Sequence, residues 1–534
     1  MNTFSLTSAL ATVSLVLLLV ATSVYVPSVE ASDDASFAHL PQGVRDVLAV
    51  KRQSHTHTFN SIRDELVSEM RRITRDDTPC VVETHMVTQR VDHFNILDRR
   101  TYKQRVHINK QFYQEGGPVF VYIGGEGPEE NTTACSGFWY ERAQDHNALM
   151  IVVEHRFYGK SVVFPLLTTE NLRFLTTELA LADLVGVVGY VQREYKLQNT
   201  PFVSFGGSYP GSLSAYFRTK YPNLVAGATA SSAPVEPDIT FTQYEEIGRA
   251  GASVYYPQCM TNYNASLEAA LDLLTTQEGR VQFQQLFNPC VDITGADYEQ
   301  AVGSLMYLNF PSIGGLMQYY ITTIPSRQVG IKVFCAAFNA VSAVSKDPLH
   351  ALKNFFRLSL HYQDGCLVNN FTETYAGNMD LDAYNEANYR TWFWQKCSMY
   401  AYFRTYPGTG DNPQFYRQLC NATFGHDVFA DEDYWISYLG GGWNSAGTNI
   451  FWNNGKLDGW HGLSVQPGPN NNYQQSYLIA NASHCEDMYG SVVEPNEDMK
   501  QAHAQNSAAI TQWLQQWRQN RATHPFRPDD DDSD

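Results

Sequence analysis

Ser208 lies in a glycine-rich turn, Phe-Gly-Gly-Ser-Tyr-Pro-Gly-Ser at 205–212, that follows a short apolar run. The run predicts a buried strand, and residues 213–218 predict a helix. A serine between a strand and a helix, with glycines where backbones cross, is typical of a nucleophile elbow. The pattern G-x-S-x-G is incomplete, because Pro210 occupies the position of its last glycine and Gly211 follows one residue later. Ser208 is therefore the candidate nucleophile, and a plain glycine-serine turn is the alternative.

A serine nucleophile needs a general base, and the base needs an orienting carboxylate. After such an elbow, the acid and then the histidine follow along the chain. Asp458 comes after a predicted strand at 449–453, and His484 after another at 477–480. They are the predicted acid and base, although His461 is a rival base and Asp458 could serve only in a turn. Other titratable residues upstream are expected to be structural, namely His93, His155 and Asp183.

The negative charge that develops on the substrate oxygen needs hydrogen-bond donors. The backbone N–H of Tyr209, directly after the candidate nucleophile, is expected to be one of them. The second is expected from the turn Gly-Gly-Glu-Gly at 124–127, which follows a predicted strand, and its candidate donor is Gly125. Glu126 would then place a carboxyl group near the site, where it could bind a substrate amine or, when protonated, a carboxylate.

Apolar runs that alternate with helical patterns must position these residues. Strands are predicted at 118–123, 148–153, 201–204 and 225–230. The spacing of leucine and valine predicts a helix over 178–195. Strands that are apolar on both faces and alternate with helices indicate a mostly parallel sheet covered on both sides. The predicted fold class is therefore α/β.

The alternation stops between about residues 237 and 425, a segment rich in aromatic residues, cysteines and helical spacing. We interpret 237–425 as a largely helical insertion and call it the lid. The predicted core then has two parts, 85–236 and 426–522. The outer segments are expected to be a signal peptide at 1–31, an N-terminal arm or pro-segment at 32–84 and an acidic tail at 523–534.

Several features indicate the secretory pathway. The apolar stretch 10–26 and the small residues up to Ala31 are typical of a cleaved signal peptide, with an uncleaved anchor as the alternative. Of nine cysteines, six fall between Cys259 and Cys420, so we expect a disulfide-stapled lid and one cysteine left over. Five N-x-[ST] sequons are candidate glycosylation sites, at Asn131, Asn264, Asn370, Asn421 and Asn481. A secreted, lysosomal or vacuolar protein is expected.

The net charge of the chain limits the classes of molecule that it is expected to bind. A formal net charge of −18 argues against nucleic acid or an anionic membrane surface. Beyond the signal peptide no segment is long and apolar enough to suggest stable membrane insertion. The cysteine spacing matches no zinc pattern, so no metal is expected. A homodimer is left open.

Several motifs together resemble one family of serine peptidases. They are the turn at 124–128, the blocks Arg-Val-Asp-His-Phe-Asn at 90–95, Glu-His-Arg-Phe-Tyr-Gly-Lys-Ser at 154–161 and Leu-Ala-Leu-Ala-Asp-Leu at 179–184, the elbow, Asn-Gly-Lys-Leu-Asp-Gly-Trp at 454–460 and Ser-His-Cys at 483–485. The chain resembles the family of lysosomal Pro-Xaa carboxypeptidase, dipeptidyl peptidase II and thymus-specific serine protease, with the last branch the most similar. The resemblance covers roughly residues 85 to 520.

The resemblance implies an α/β-hydrolase core with a helical, disulfide-containing insertion, a triad at Ser208, Asp458 and His484, and no metal or organic cofactor. It also implies cleavage beside proline at a peptide terminus. Gly459 replaces the proline usual after the acid, and Pro210 replaces a glycine, which weakens the expectation for proline.

We therefore expect a serine peptidase that hydrolyses short peptides through an acyl-enzyme, as a carboxypeptidase or a dipeptidyl peptidase. Two alternatives remain at this point. One is an esterase or lipase, because the same elbow serves both kinds of substrate. The other is a hydrolase-shaped binding protein that has lost activity, which predicts a broken triad.

Overall fold

The computed structural model describes residues 80–523, apart from positions 198, 297, 358–361, 364, 371–379, 386–388, 406–412, 426–427 and 469–473. The expected signal peptide, nearly all of the arm and nearly all of the acidic tail lie outside the described residues. No helix in the described ranges has the length and apolar character needed to cross a membrane.

An eight-stranded sheet forms the core. The strands of the protein are Val82–Arg90 (β1), Thr101–Asn109 (β2), Val119–Ile123 (β3), Leu149–Val153 (β4), Phe202–Gly207 (β5), Val225–Ser231 (β6), the short Tyr362–Gln363 (β7) and Cys366–Leu367 (β8), Ile450–Gly455 (β9) and Gln474–Ile479 (β10). The sheet has the order β1-β2-β4-β3-β5-β6-β9-β10. Within this sheet only the β1–β2 and β2–β4 pairs are antiparallel, and β7 and β8 form a separate antiparallel pair. This is the strand order of the α/β-hydrolase fold, so the predicted fold class is confirmed.

Fifteen α-helices accompany the strands in the described residues. They are Phe138–His146 (α1), Thr169–Leu172 (α2), Thr177–Glu194 (α3), Tyr209–Lys220 (α4), Gln243–Tyr255 (α5), Pro257–Thr275 (α6), Gln277–Phe287 (α7), Tyr298–Asn309 (α8), Ile313–Gln318 (α9), Val329–Val344 (α10), Pro348–Phe356 (α11), Arg390–Gln395 (α12), Pro413–Phe424 (α13), Glu432–Leu439 (α14) and Glu497–Thr523 (α15). Helices α3 and α4 cover one face of the sheet, and α1 and α15 cover the other.

The central strands are apolar on both faces because helices cover both sides. All five residues of β4, Leu-Met-Ile-Val-Val, are buried. The last helix approaches the sheet closely: a Cβ on Gly227 of β6 would lie 2.1 Å from the Trp513 ring. A glycine at this position therefore lets the tryptophan of α15 reach the strand.

The first strand begins earlier than the sequence suggested. β1 starts at Val82, within the segment 32–84 assigned to the arm, and Val82 pairs with Asn109 of β2. A disulfide between Cys80 and Cys135 fixes the start of this strand to the turn after β3. The alternation in β1 is weak because it is an edge strand, and this explains why the sequence pattern did not reveal it.

The lid has a hydrophobic core of its own, built mainly from α5 to α11. Three disulfides lie within it, as expected from the cysteine count: Cys259–Cys335, Cys290–Cys366 and Cys397–Cys420. Cys485 is the unpaired cysteine.

The lid packs directly on the loop that follows β9. Leu457 of that loop is part of the hydrophobic core of the lid. A Cβ on Gly459 would lie 2.6 Å from the backbone oxygen of Tyr244 in α5. The lid is therefore seated beside Asp458.

Candidate active site

Ser208 lies at the sharp turn between β5 and α4, with φ of 64° and ψ of −137°. A non-glycine residue with positive φ is strained, and such strain is typical of functional turns. The Ser208 N–H donates to the Ser231 carbonyl at the end of β6, at 2.8 Å. A Cβ on Gly206 would lie 2.2 Å from the Pro210 carbonyl oxygen, so only glycine fits there. The strand, strained serine and helix form the geometry of an elbow.

Pro210 does not disturb this turn. It lies in the first turn of α4, where a missing N–H costs no helical hydrogen bond. Its ring packs against Gly125, where a Cβ would lie 2.4 Å from Pro210 Cγ. The departure from G-x-S-x-G is therefore accommodated by the glycine turn after β3.

Asp458 and His484 follow β9 and β10, and the structure brings their side chains together. His484 Nδ1 lies 2.8 Å from Asp458 Oδ2. Asp458 is fully buried, and its Oδ1 accepts a hydrogen bond from the Trp460 N–H at 3.0 Å. The carboxylate is thus fixed from two sides, and it fixes the imidazole.

The loop that carries His484 also contacts the elbow. A Cβ on Gly207, next to Ser208, would lie 2.8 Å from Cys485 Sγ. The Cys485 N–H donates to Ser232 Oγ at 2.9 Å. Ser232 directly follows Ser231, whose carbonyl oxygen accepts the Ser208 N–H. Ser208 and His484 therefore lie at the same edge of the sheet, at the carboxyl ends of its parallel strands.

The charge state of His484 reflects two opposing effects. Burial alone would lower the pKa of His484, but the neighbouring Asp458 carboxylate, with a contribution from Cys485, raises this pKa well above its ordinary value. Asp458 therefore stabilises the imidazolium form. An imidazole held through Nδ1 has Nε2 left for proton transfer.

The two candidate oxyanion donors lie close to each other. Within the described part of the chain, neither the Tyr209 N–H nor the Gly125 N–H donates a hydrogen bond. Pro210, next to Tyr209, contacts Gly125, so both amides border the elbow. Two free backbone donors beside a serine are what an oxyanion site requires.

The rival residues have other partners. His461 Nδ1 lies 3.0 Å from the Gly455 carbonyl oxygen. His155 Nε2 lies 2.9 Å from the Tyr209 hydroxyl, and His93 Nε2 lies 2.7 Å from Asp183. Each of these histidines is held within the structure.

The family of serine carboxypeptidase S28 matches residues 89–506, which is most of the chain. The chain belongs to this family. It is a serine peptidase with an α/β-hydrolase core.

Known members share about a quarter of their residues with this S28 peptidase. Human thymus-specific serine protease is 28% identical over 428 residues, or 75% of this chain and 80% of the relative. Lysosomal Pro-X carboxypeptidase of Bos taurus is 29% identical over 401 residues, or 71% and 77%. These identities are too similar to place the chain in one branch. A solved proline iminopeptidase of Mycobacterium smegmatis is 13% identical, covers 81% of this chain and 99% of its own, and has a TM-score of 0.33.

Glu126 of this S28 peptidase directly follows Gly125, one of the two candidate oxyanion donors. Its side chain is exposed to solvent. Partial desolvation by the neighbouring protein raises the pKa of Glu126, and the nearby His484 partly offsets this rise. The negative charge of Glu126 also contributes to the raised pKa values of Tyr158, Tyr319 and Tyr389, after the larger effect of their burial.

Other residues at the site were not found from the sequence. Trp460 lies with its ring 6.4 Å from the His484 ring, and its position two residues after Asp458 could have indicated this. Tyr319 and Arg404 come from the lid, and no sequence signal connects them to the elbow. No group of three or more histidine, cysteine or acidic residues that could hold a metal ion occurs in the described ranges.

Proposed function

We propose that this S28 peptidase hydrolyses short peptides at one terminus, with Ser208 as nucleophile, His484 as general base and acid, and Asp458 as the orienting carboxylate. The observation that carries the proposal is the buried Asp458–His484 hydrogen bond of 2.8 Å at the edge where the strained serine lies. In the first step Ser208 Oγ attacks the scissile carbonyl carbon while His484 Nε2 takes the hydroxyl proton.

The tetrahedral intermediate carries its negative charge near the N–H groups of Tyr209 and Gly125. His484 then donates the proton to the amine of the departing fragment, and the peptide C–N bond breaks. A water molecule, deprotonated by His484, attacks the acyl-enzyme and releases the second product. Both halves of the cycle use the same oxyanion donors, so their loss would slow acylation and deacylation alike.

The lid supports a preference for short or unstructured peptides. It covers the loop that carries Asp458, where Tyr244 of α5 packs against Gly459. Gly459 stands where the family resemblance implies a proline, and the close approach of the Tyr244 backbone leaves no room for a larger residue there. We therefore leave cleavage beside proline as the narrower hypothesis, to be tested with matched peptides.

A secreted or lysosomal location is part of the proposal. Four disulfides suit an oxidising compartment. Three of the sequon asparagines are exposed, namely Asn131, Asn421 and Asn481. The other two, Asn264 and Asn370, are half-buried. Glycosylation is expected first at the exposed set.

A fluorophosphonate probe tests the proposed nucleophile. Wild type, Ser208→Ala and His484→Ala would be labelled between about pH 4 and pH 8, with Ser212→Ala as the matched control. Ser212 lies in the first turn of α4, four residues after Ser208, and its buried hydroxyl donates to the Pro234 carbonyl oxygen. We expect labelling of wild type and Ser212→Ala and its loss in the other two variants. A folded wild type that stays unlabelled, before and after removal of the arm, would contradict the proposal.

Peptide and ester substrates offered in parallel separate the peptidase from the esterase alternative. We expect the peptide reaction to give the higher kcat/KM when the substrate is short and has a free terminus. Activity on esters alone would favour the alternative.

A further inference from the structure

Arg404 is a half-buried cation of the lid with weak partners. Its guanidinium carbon lies 5.0 Å from the centroid of the Tyr244 ring. Its Nη1 lies 3.3 Å from the Tyr244 hydroxyl and 3.5 Å from Ser312 Oγ. Both distances are at the long end for a hydrogen bond. The guanidinium therefore keeps much of its capacity to donate.

The charge of Arg404 also lacks an ion-pair partner among the described residues. The nearby Glu245 carboxylate contributes to raising the pKa of Arg404 but forms no ion pair with it. Glu245 instead accepts hydrogen bonds from the Ser312 hydroxyl and the Gly314 N–H. A half-buried guanidinium is normally matched by a carboxylate or phosphate, because its planar fork suits both. Arg404 thus has the features of a site for an anionic group.

A wall of aromatic rings connects Arg404 to the catalytic histidine. The Tyr244 and Trp460 rings are 5.1 Å apart, and the Trp460 and His484 rings are 6.4 Å apart. Arg404, His484 and Glu126 all act electrostatically on the hydroxyl of Tyr319. The chain of ring contacts therefore places Arg404 two aromatic rings away from His484 of the proposed triad.

The direction of this wall indicates which part of the substrate reaches Arg404. His484 donates its proton to the amine of the departing fragment, so that fragment must lie over the imidazole. Trp460 packs beside this imidazole, and Arg404 lies beyond Trp460 and Tyr244. The departing fragment contains the carboxyl end of the peptide, because Ser208 keeps the acyl part.

We propose that Arg404 binds the terminal carboxylate of the peptide, so that the enzyme releases residues from the carboxyl end. This inference rests on the proposed peptidase function and selects one of its two termini. The lid then sets specificity with a charge, whereas the hydrolase core supplies the reaction.

Matched peptides test this role. The probe is a dansylated pentapeptide of alanine and proline, made as the free acid, as the C-terminal amide, and as the amide with a terminal aspartate. Wild type, Arg404→Gln and Arg404→Lys would be compared with Arg280→Gln. Arg280 is a suitable control because it is also a lid arginine on a tyrosine ring, 3.7 Å from Tyr298.

We expect wild type to favour the free acid over the amide by about 10- to 100-fold in kcat/KM, the range of a charge-assisted hydrogen bond. Arg404→Gln should remove this preference mainly through KM, Arg404→Lys should keep part of it, and Arg280→Gln should keep all of it. Fluorophosphonate labelling should be unchanged in all four proteins. Equal cleavage of acid and amide by wild type, or an equal loss on both substrates in Arg404→Gln, would overturn the proposal.

Binding separates this inference from the proposed reaction. In a Ser208→Ala background, the dansylated acid should bind more tightly than the amide, and Arg404→Gln should abolish the difference. If wild type cleaves no peptide but this difference is present, the peptidase proposal fails and the carboxylate site stands. If the aspartate amide binds as tightly as the free acid, Arg404 reads a side chain instead of the terminus, and the inference is wrong.

Discussion

Asp183 and Asp458 are both buried and both bind a histidine, but their surroundings differ. Asp183 accepts four hydrogen bonds, two from Arg156 at 2.6 and 2.9 Å, one from His93 and one from the Tyr102 hydroxyl, both at 2.7 Å. Asp458 accepts two, from His484 and the Trp460 N–H. Arg156 neutralises Asp183 permanently, whereas Asp458 has only an imidazole that can gain or lose its proton.

The difference separates a structural ion pair from a pair suited to catalysis. Burial alone would raise the pKa of Asp183, but Arg156 lowers it below its ordinary value, so this carboxylate stays charged. The partners of Asp183 come from the turn after β1, from β2 and from the turn after β4, and together they tie these segments to α3. The Asp458 pair instead lies at the cleft and has one imidazole nitrogen to spare. A satisfied buried network fixes a fold, and an incomplete one beside a nucleophile can move a proton.

The largest effect on activity is expected at Ser208 and at the Asp458–His484 pair. Ser208→Ala or His484→Ala should lower kcat by about 10⁶-fold, the range seen when a triad member is removed. The melting temperature of Ser208→Ala should change little, whereas His484→Ala leaves the buried Asp458 carboxylate without its imidazole partner and should lower the melting temperature. Peptide cleavage and thermal melting of the same preparations check this. A variant that keeps a hundredth of the wild-type rate would exclude that residue from the triad.

Asp458→Asn should lower kcat by about 10⁴-fold, because an amide cannot hold the imidazole in the required tautomer. Loss of the carboxylate should also lower the pKa of His484. Since a neutral imidazole is needed as base, the rising limb of the pH–rate profile should move to lower pH. The remaining rate as a function of pH measures both effects. An unmoved rising limb would show that Asp458 does not set the His484 pKa.

Asp183→Asn should act on stability rather than on chemistry. Breaking a buried ion pair leaves Arg156 uncompensated and should cost about 3–5 kcal/mol of unfolding free energy. Molecules that remain folded should keep their rate, measured as turnover per fluorophosphonate-labelled site. Asp98→Asn is the control, because its pair with Arg100 lies at the surface. A fall in turnover per labelled site without loss of stability would place Asp183 in the reaction.

Glu486 sharpens the comparison, because it is a buried carboxyl group with no ion-pair partner among the described residues. One oxygen accepts the Ser483 N–H at 2.8 Å, and the other has no partner among the described residues. Burial raises the pKa of Glu486 to about 8. In the unfolded chain this group ionises near its ordinary pKa of 4.5, so the folded state binds the extra proton between these values. Stability should therefore fall as pH rises through this window, by up to about 1.4 kcal/mol per pH unit.

Glu486→Gln should remove that contribution and flatten the dependence of melting temperature on pH between about pH 5 and pH 8. Glu268→Gln, at an exposed position of the lid, is the matched control. Parallel slopes for wild type and Glu486→Gln would mean that the carboxyl group ionises in the folded protein as it does in water.

Much of the core could be predicted because its signals are local. The strands before Ser208, Asp458 and His484 are short apolar runs ended by polar or glycine residues, and their order in the chain matches their order at the sheet edge. The pairing of Asp458 with His484 followed from that order. Contacts between distant segments gave no signal: Arg404 reaches the cleft only through the docking of the lid, and β1 is recognisable only from its pairing with β2. The sequence also did not reveal that Cys485 is the unpaired cysteine, because disulfide pairing depends on contacts between distant segments.

The disulfides have a consequence for synthesis. All four close between cysteines that precede β9, and none joins the lid to the second part of the core. During translation into an oxidising compartment, each can form before Ile450 leaves the ribosome. β6 must meanwhile wait with an open edge for β9 to arrive. Cys485 is made last, when its eight predecessors can already have found partners, so the order of emergence itself keeps the thiol beside His484 reduced.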